Sequence, residues 1–294
     1  MNATLKNILL MPFNLLYKIS PKAELKLMFR LKQGYKLNLD NPVTFNEKLQ
    51  WLKLNNRDER MSVCCDKYTV RQYVESCGCS DILCKLYWSG FSPEEIPFDE
   101  LPDKFVIKVT HGCGMNIICK NKNELDRLAT IRKLKKWLKI KFIPCYGEWF
   151  YGVQKPRVIV EEFISSGDDI EPVDYKFFCF DGKAKSINVH SDRFSTHKKN
   201  VFDIDWKFRS DVVFGYKQSE DVPLKPEKLD EMIEISEKLS KGFPHVRVDL
   251  YNVGKKIYFG EMTFATGAGF NKITPYKFDV ELGSHFNLPI KEDI

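Results

Sequence analysis

The sequence predicts an α+β protein with a helical N-terminal region, and three observations carry that expectation. The first eighty residues read as helices with recognisable caps. Beyond residue 100, short β-rich runs take over, several of them joined by tight turns. A chain of 294 residues with 43% hydrophobic residues is also long enough to bury a core in two lobes rather than one.

Taken in order, Ser20 and Pro21 open a helix that runs to Gly34, because Ser is a good N-cap and Pro is tolerated in the first turn. Thr44-Phe45-Asn46-Glu47 is a capping box, followed by Leu49, Trp51 and Leu52 on an apolar face. A further helix is expected from about Asp66 to Cys77, stopping at Gly78. Strands are expected at 105–109, 116–119, 157–161 and 175–180. Asp181-Gly182 turns the last of these into a hairpin with 184–189. Helices near 123–140 and 227–241 lie between strands, and 246–253 pairs with 256–263 around Gly254. The resulting division is a helical region 1–80, a lobe 81–165 and a second lobe 166–294.

The formal charge of +6 is mildly basic and spread along the chain. The run Arg132, Lys133, Lys135, Lys136, Lys139 and Lys141 reads as a solvated helix face, so no nucleic-acid partner is expected. Nine cysteines fall in no metal-ligand pairing, and free thiols in a reducing cytoplasm are the expectation. The apolar stretch Ile8–Leu16, interrupted by Pro12 and Asn14, is far short of the ~20 residues a bilayer span needs. Flanked by Lys6 and Lys18, it either packs on the protein or rests peripherally on an anionic membrane.

Three patterns point to chemistry. In Val246-Arg247-Val248-Asp249-Leu250 the charged residues alternate with apolar ones and share a face. On the following run Glu261 shares parity with Ile257, Phe259 and Thr263, so it is not expected on a plainly solvated face. Two carboxylates on adjacent strands suit Mg²⁺, and an arginine beside them suits a phosphoryl group. A surface hairpin with an ordinary ion pair fits the same pattern, and pattern alone does not separate the two. Lys108 leads into Thr110-His111-Gly112-Cys113-Gly114-Met115-Asn116, where Gly112 and Gly114 would let backbone N–H groups cradle an anion. The loop lacks the spacing of a P-loop, and a strand ending in a glycine turn is common. Asp66-Lys67-Tyr68-x-x-Arg71 stands at a helix start.

In this order the pieces resemble the ATP-grasp superfamily, and more closely its TupA-like branch, named for teichuronopeptide biosynthesis. The resemblance covers nearly the whole chain through Asn41–Trp51, Asp174–Lys183, and Val246–Tyr251 to Gly260–Phe264. It implies an ATP-grasp fold, two α+β lobes gripping ATP. It further implies that Lys67 and Lys108 hold the ATP phosphates, and that Glu161, with the backbone of Phe163 and Ile164, reads adenine. Asp174 would bond the ribose, Arg247 would clamp the transferred phosphoryl group, and Asp249, Glu261 and Thr263 would hold Mg²⁺. Arg193 and Lys198 are further phosphate candidates. Cys113 and Ala268 stand where a hydroxyl residue is expected.

The implied activity is that of a cytoplasmic carboxylate–amine ligase working through an acyl-phosphate. Its small-molecule substrates would be an amine and a carboxylate, joining an amino acid to a uronic-acid-type sugar of a surface polysaccharide or capsule. The five histidines form no triad-like motif and are expected to be structural. Two other classes compete: a glycosyltransferase, whose Asp-x-Asp metal motif only Asp203-Ile204-Asp205 could supply, and a nucleotide-binding scaffold without turnover.

Overall fold

The computed structural model describes residues 3–167, 170–191 and 198–289. Its elements in chain order begin with helices α1 (Ala3–Ile19), α2 (Pro21–Gln33), α3 (Phe45–Asn55), α4 (Arg60–Cys64) and α5 (Val70–Ser76). Strands β1 (Leu86–Gly90), β2 (Phe105–Val109) and β3 (Asn116–Cys119) follow, then α6 (Arg127–Leu138) and β4 (Val158–Glu162). Next come β5 (Asp174–Phe180), β6 (Lys183–Ser191), β7 (Lys198–Phe202), β8 (Val213–Phe214) and α7 (Leu229–Ser240). The chain continues with β9 (His245–Val253), β10 (Lys256–Thr263), β11 (Ile273–Thr274) and α8 (Tyr276–Ser284).

The expected caps form as local chemistry dictates. The Ser20 hydroxyl accepts from the Ala23 N–H at 3.2 Å, and Gly34 closes α2 in the left-handed conformation. Thr44 and Glu47 complete a reciprocal capping box on α3. One helix runs through a proline, and one boundary differs from expectation. Helix α1 passes through Pro12, whose exposed flank lets water solvate the carbonyl that loses its donor. Helix α5 starts at Val70 rather than Asp66, because the Asp66 carboxylate accepts from the N–H groups of Tyr68 and Thr69 and folds Lys67 into a turn.

Two larger antiparallel sheets organise the rest, and β8 and β11 form a third of two strands. The four-stranded sheet runs β1-β4-β2-β3. Its core of Phe105, Ile107, Val109, Val158 and Val160 is closed by Leu134 of α6. The five-stranded sheet runs β10-β9-β5-β6-β7. One face of it carries Phe177, Cys179, Ile187, Val246, Val248 and Leu250 under Met232 and Leu239 of α7. Met61, Val70 and Val74 of α4 and α5 join the same core. The N-terminal helices therefore share the second sheet's core rather than building their own.

The opposite face of the five-stranded sheet changes character along its strands. At one end Phe178, Phe180 and Val201 pack with Phe45 of α3 and Phe278 of α8. His245 lies there too, its ring 4.9 Å from that of Phe45. Its Nδ1–H donates to the Cys179 carbonyl, and burial holds its pKa down to about 3, so this histidine is a neutral packing group. At the other end of the face the same strands present charge: Asp174 and Lys176 from β5, and Arg247 and Asp249 from β9.

Strand β10 corrects the expected parity. Ile257 and Phe259 belong to the apolar core, but so do Met262 and Phe264. The register slips between Phe259 and Glu261, which places Gly260 in a β-bulge. The bulge turns Glu261 and Thr263 onto the charged face, opposite Asp249 and Arg247. Sequence alternation could not show this, because one unpaired residue inverts every later side chain. A glycine fits because a Cβ at 260 would stand 2.9 Å from the Asp249 carbonyl oxygen and 3.1 Å from the Tyr251 ring. Gly260→Ala is accordingly expected to lower stability by about 1–3 kcal/mol, the usual range for forced overpacking. Thermal unfolding checks this, and an unchanged melting temperature would show that β10 yields freely at the bulge.

Candidate functional site

The first half of the site gathers around Glu161 on β4. Its carboxylate receives Lys108 Nζ of β2 at 2.8 Å and Arg71 Nη1 of α5 at 3.2 Å. Arg71 also donates to the Cys84 carbonyl at 2.9 Å, which fixes the guanidinium. Burial pushes the Glu161 carboxyl up, but the two cations outweigh it and hold it below the ordinary value. Lys108 is held above its ordinary value in turn, with Glu161 overcoming the cost of burial. Glu161 is thus the counter-ion that keeps Lys108 charged in a half-dry position, and Phe163 and Ile164 follow on directly after β4.

Lys67 reaches across to the glycine loop, donating from Nζ to the Gly112 carbonyl at 2.8 Å. The loop itself is the β2–β3 connection, with Gly114 in the left-handed conformation and Cys113 exposed. Lys67, Arg71, Lys108 and Glu161 share one cavity wall with Phe259 and Gly260 of β10. The cavity lies between the four-stranded sheet and the bulge of the second sheet.

The second half of the site lies on the charged face. Arg247 grips Asp249 with Nε at 2.6 Å and Nη2 at 2.7 Å, and bonds Glu261 with Nη2 at 2.8 Å. Lys176 bridges Asp174, at 2.7 Å, and Asp249. The Thr263 hydroxyl donates to Glu261 at 3.2 Å. Arg247 and Asp249 are almost fully buried, whereas the Glu261 side chain is 43% exposed and forms the open edge. Partial desolvation raises the Glu261 carboxyl, but Arg247, Lys67 and Lys176 more than reverse it and bring it down to about 2. Asp249 instead ends above its ordinary value, because it is deeper and has two carboxylates near it.

Two buried groups on this face were not legible as site residues. Lys199 of β7 is 4% exposed, and among the described residues its ammonium meets only the ring faces of Phe214, at 4.6 Å, and Tyr216, at 5.2 Å. Burial, together with Arg247 and Lys176 nearby, lowers it to about 7. Asn188 of β6, paired with Lys176, is buried with neither side-chain polar atom bonded within the described residues. A cation without a carboxylate and an amide without a partner are the groups a polar, anionic ligand would satisfy. The sequence signal was strand alternation in 198–202, but two adjacent lysines left the inward one undecided. Lys198 is half-buried beside it, and Arg193 lies outside the described residues. Lys176 likewise joined the site only through folding, whereas Arg71 stood in the Asp66–Arg71 pattern without an assigned partner.

Taken together, the site sets Lys67, Arg71, Lys108, Lys176, Lys199 and Arg247 against Glu161, Asp174, Asp249 and Glu261. Cations exceed carboxylates, which favours a multiply charged anion. The cysteines elsewhere are free thiols, and among the described residues no trio of His, Cys, Asp or Glu is placed to hold a metal. Asp203-Ile204-Asp205 forms a turn in which the Asp203 carboxylate accepts from the N–H groups of Asp205 and Lys207.

No curated protein matches the chain. Among solved structures it is similar to D-alanine–D-alanine ligase from Bacillus anthracis complexed with ATP, at 18% identity and a TM-score of 0.44, over 69% of this chain and 56% of that one. It is similar to L-amino acid ligase from Bacillus licheniformis at 15% identity and a TM-score of 0.48, over 76% and 49%. The chain spans about half the length of these solved relatives, and at such values the likeness carries no argument by itself. The model of the family described as TupA-like ATPgrasp matches residues 47–287, from the capping box of α3 past the end of α8. The match takes in both sheets, the glycine loop and the charged face, and the chain belongs to the TupA-like ATP-grasp family.

Proposed function

We propose that this chain is an ATP-dependent carboxylate–amine ligase. The observation that carries the reading is the single cavity wall shared by Lys67, Lys108 and Glu161 with the β10 bulge next to Glu261. Nucleotide phosphates lying along that wall would take Lys67 from the Gly112 carbonyl and share Lys108 with Glu161. Glu161 keeps Lys108 ionised, and Phe163 and Ile164 offer the segment beside which adenine would lie, with Asp174 for the ribose. Asp249 and Glu261 suit Mg²⁺, which needs only one or two protein carboxylates when phosphates complete its shell. Bound there, the ion would neutralise phosphate charge. Glu261, the exposed one of the pair, is the carboxylate best placed to release Arg247 and take up that work, with the Thr263 hydroxyl beside it.

Chemically, a substrate carboxylate oxygen bonds to the γ-phosphorus as the bond to ADP breaks. An amine nitrogen then bonds to the acyl carbon, phosphate leaves and the amine gives up a proton. Arg247 and Lys199 are the cations that hold the charge spread over the transferring group. We take the substrates to be an amino acid and a uronic-acid-type sugar of a surface polysaccharide, following the resemblance to the TupA-like branch. We take the reaction to be cytoplasmic, where ATP is supplied.

Nucleotide choice tests the reading first. ATP with magnesium should protect the protein against heating where UDP-glucose and UDP-glucuronate do not, by about 2.7 kcal/mol at ~100-fold saturation. Protection by a UDP-sugar alone would replace the ligase with a glycosyltransferase.

Glu261→Gln separates turnover from folding. The side chain is partly exposed, so the variant should fold and still bind ATP, yet lose ADP release by at least ~100-fold. Turnover near wild type would remove Glu261 from the reaction.

Lys199→Met should raise the melting temperature at pH 7, on the order of 5 °C, while weakening ATP binding. Its native pKa of about 7 lies below the unfolded value near 10.4. The unfolded chain therefore binds a proton there that the native state lacks, and stability rises with pH across that window. The advantage of the variant should shrink as pH is raised from 7 toward 10. Calorimetry across that range decides it, and a variant destabilised at pH 7 would show Lys199 to be a structural group.

A further inference from the structure

Helix α1 is apolar on both sides, and only one side is covered. Leu10, Phe13, Asn14 and Tyr17 form its half-buried inward face, fastened by the Asn14 side-chain carbonyl accepting from the Cys145 N–H at 3.0 Å. On the outward face Ile8, Met11, Leu15 and Ile19 follow one another at spacings of three or four, each 55–82% exposed. Leu27 and Leu31, one turn apart on α2, are exposed as well. A helix at a protein surface ordinarily turns polar side chains to water.

The exposed charge on α1 and α2 themselves has one sign. Lys18, Lys22, Lys26, Arg30 and Lys32 are all exposed. Glu24 is the single acid between residues 3 and 37, and it is wholly buried. Lys22 makes only a loose 3.9 Å contact with Asp40. Among the described residues no helix is long and apolar enough to cross a membrane.

We infer that α1 and α2 dock flat on an anionic lipid surface, with Ile8, Met11, Leu15 and Ile19 entering the acyl boundary and the lysines and Arg30 meeting lipid phosphates. The uniform sign of the charge favours this occupant. A protein surface complementary to it would need a continuous acidic field around an apolar stripe, which a bilayer containing acidic lipid supplies at every point. The inference is independent of the ligase reading, since none of these residues lines the cavity.

Vesicle flotation of the full chain tests it, using phosphatidylcholine alone and phosphatidylcholine mixed with phosphatidylglycerol. The protein should float with the mixed vesicles at low salt, release as salt rises, and stay behind with phosphatidylcholine. Met11→Asp with Leu15→Asp should abolish flotation without changing the melting temperature, because both side chains are exposed. Lys22→Ala, Lys26→Ala and Arg30→Ala combined should weaken it on the order of fivefold per charge removed. The charge variants keep the test open should the α1 variant fold poorly. Equal flotation on both vesicle types, no flotation at low salt, or flotation unmoved by either set of variants would overturn the inference. So would a dimer in sedimentation velocity that the α1 variant dissociates, since a second copy would then be the occupant.

Discussion

A guanidinium taken out of water has to find carboxylates, and the arrangement around Arg247 is the constraint on which the site depends. Arg247 meets Asp249 with two nitrogens and Glu261 with one of them, while Lys176 holds Asp249 from the other side. Removing one member of a buried group like this typically costs about 3–5 kcal/mol, because the remaining charge is stranded. The group exists only because β5, β9 and β10 lie side by side in one register. It also exists only because the bulge at Gly260 turns Glu261 toward Arg247 instead of into the core.

The sheet that carries this group is stabilised elsewhere. Phe45, Phe178, Phe180 and His245 pack at the far end of the same face, and a full apolar core fills the other face. Burial of that surface offsets the cost of desolvating charge at the other end. Lys199 and Asn188 mark where the offset is incomplete, since neither has a polar partner in the described structure. Buried polar groups in that condition cost native stability.

The two halves of the site also act on each other. Glu261 feels Lys67, and Lys108 feels Glu261, although Glu261 lies on the five-stranded sheet while Lys108 lies on the other sheet and Lys67 in the turn before α5. A nucleotide phosphate bridging them would replace repulsion among cations with attraction, so the surplus of positive charge favours an anion there. The apolar outward face of α1 lies apart from this electrostatic unit, with its own basic rim.

The sequence by itself determined the elements whose signals are local. Ser20 and Gly34 bound α2, Thr44 and Glu47 cap α3, and Asp181-Gly182 turns β5 into β6, because each needs only neighbouring atoms. The alternation in 246–250 put Arg247 and Asp249 on one face, and the order of motifs suggested the family to which the chain belongs. Only the tertiary structure decided which partners those charges meet. The pairing of Arg71 with Glu161 joins residues ninety positions apart, and the choice of Lys199 over Lys198 for the interior follows from the packing of β7 on Phe214. The parity of Glu261 turned on a single bulge. A bulge is set by pairing between strands, not by the alternation within one, and so β10 alone carried no sign of the face on which its carboxylate would emerge.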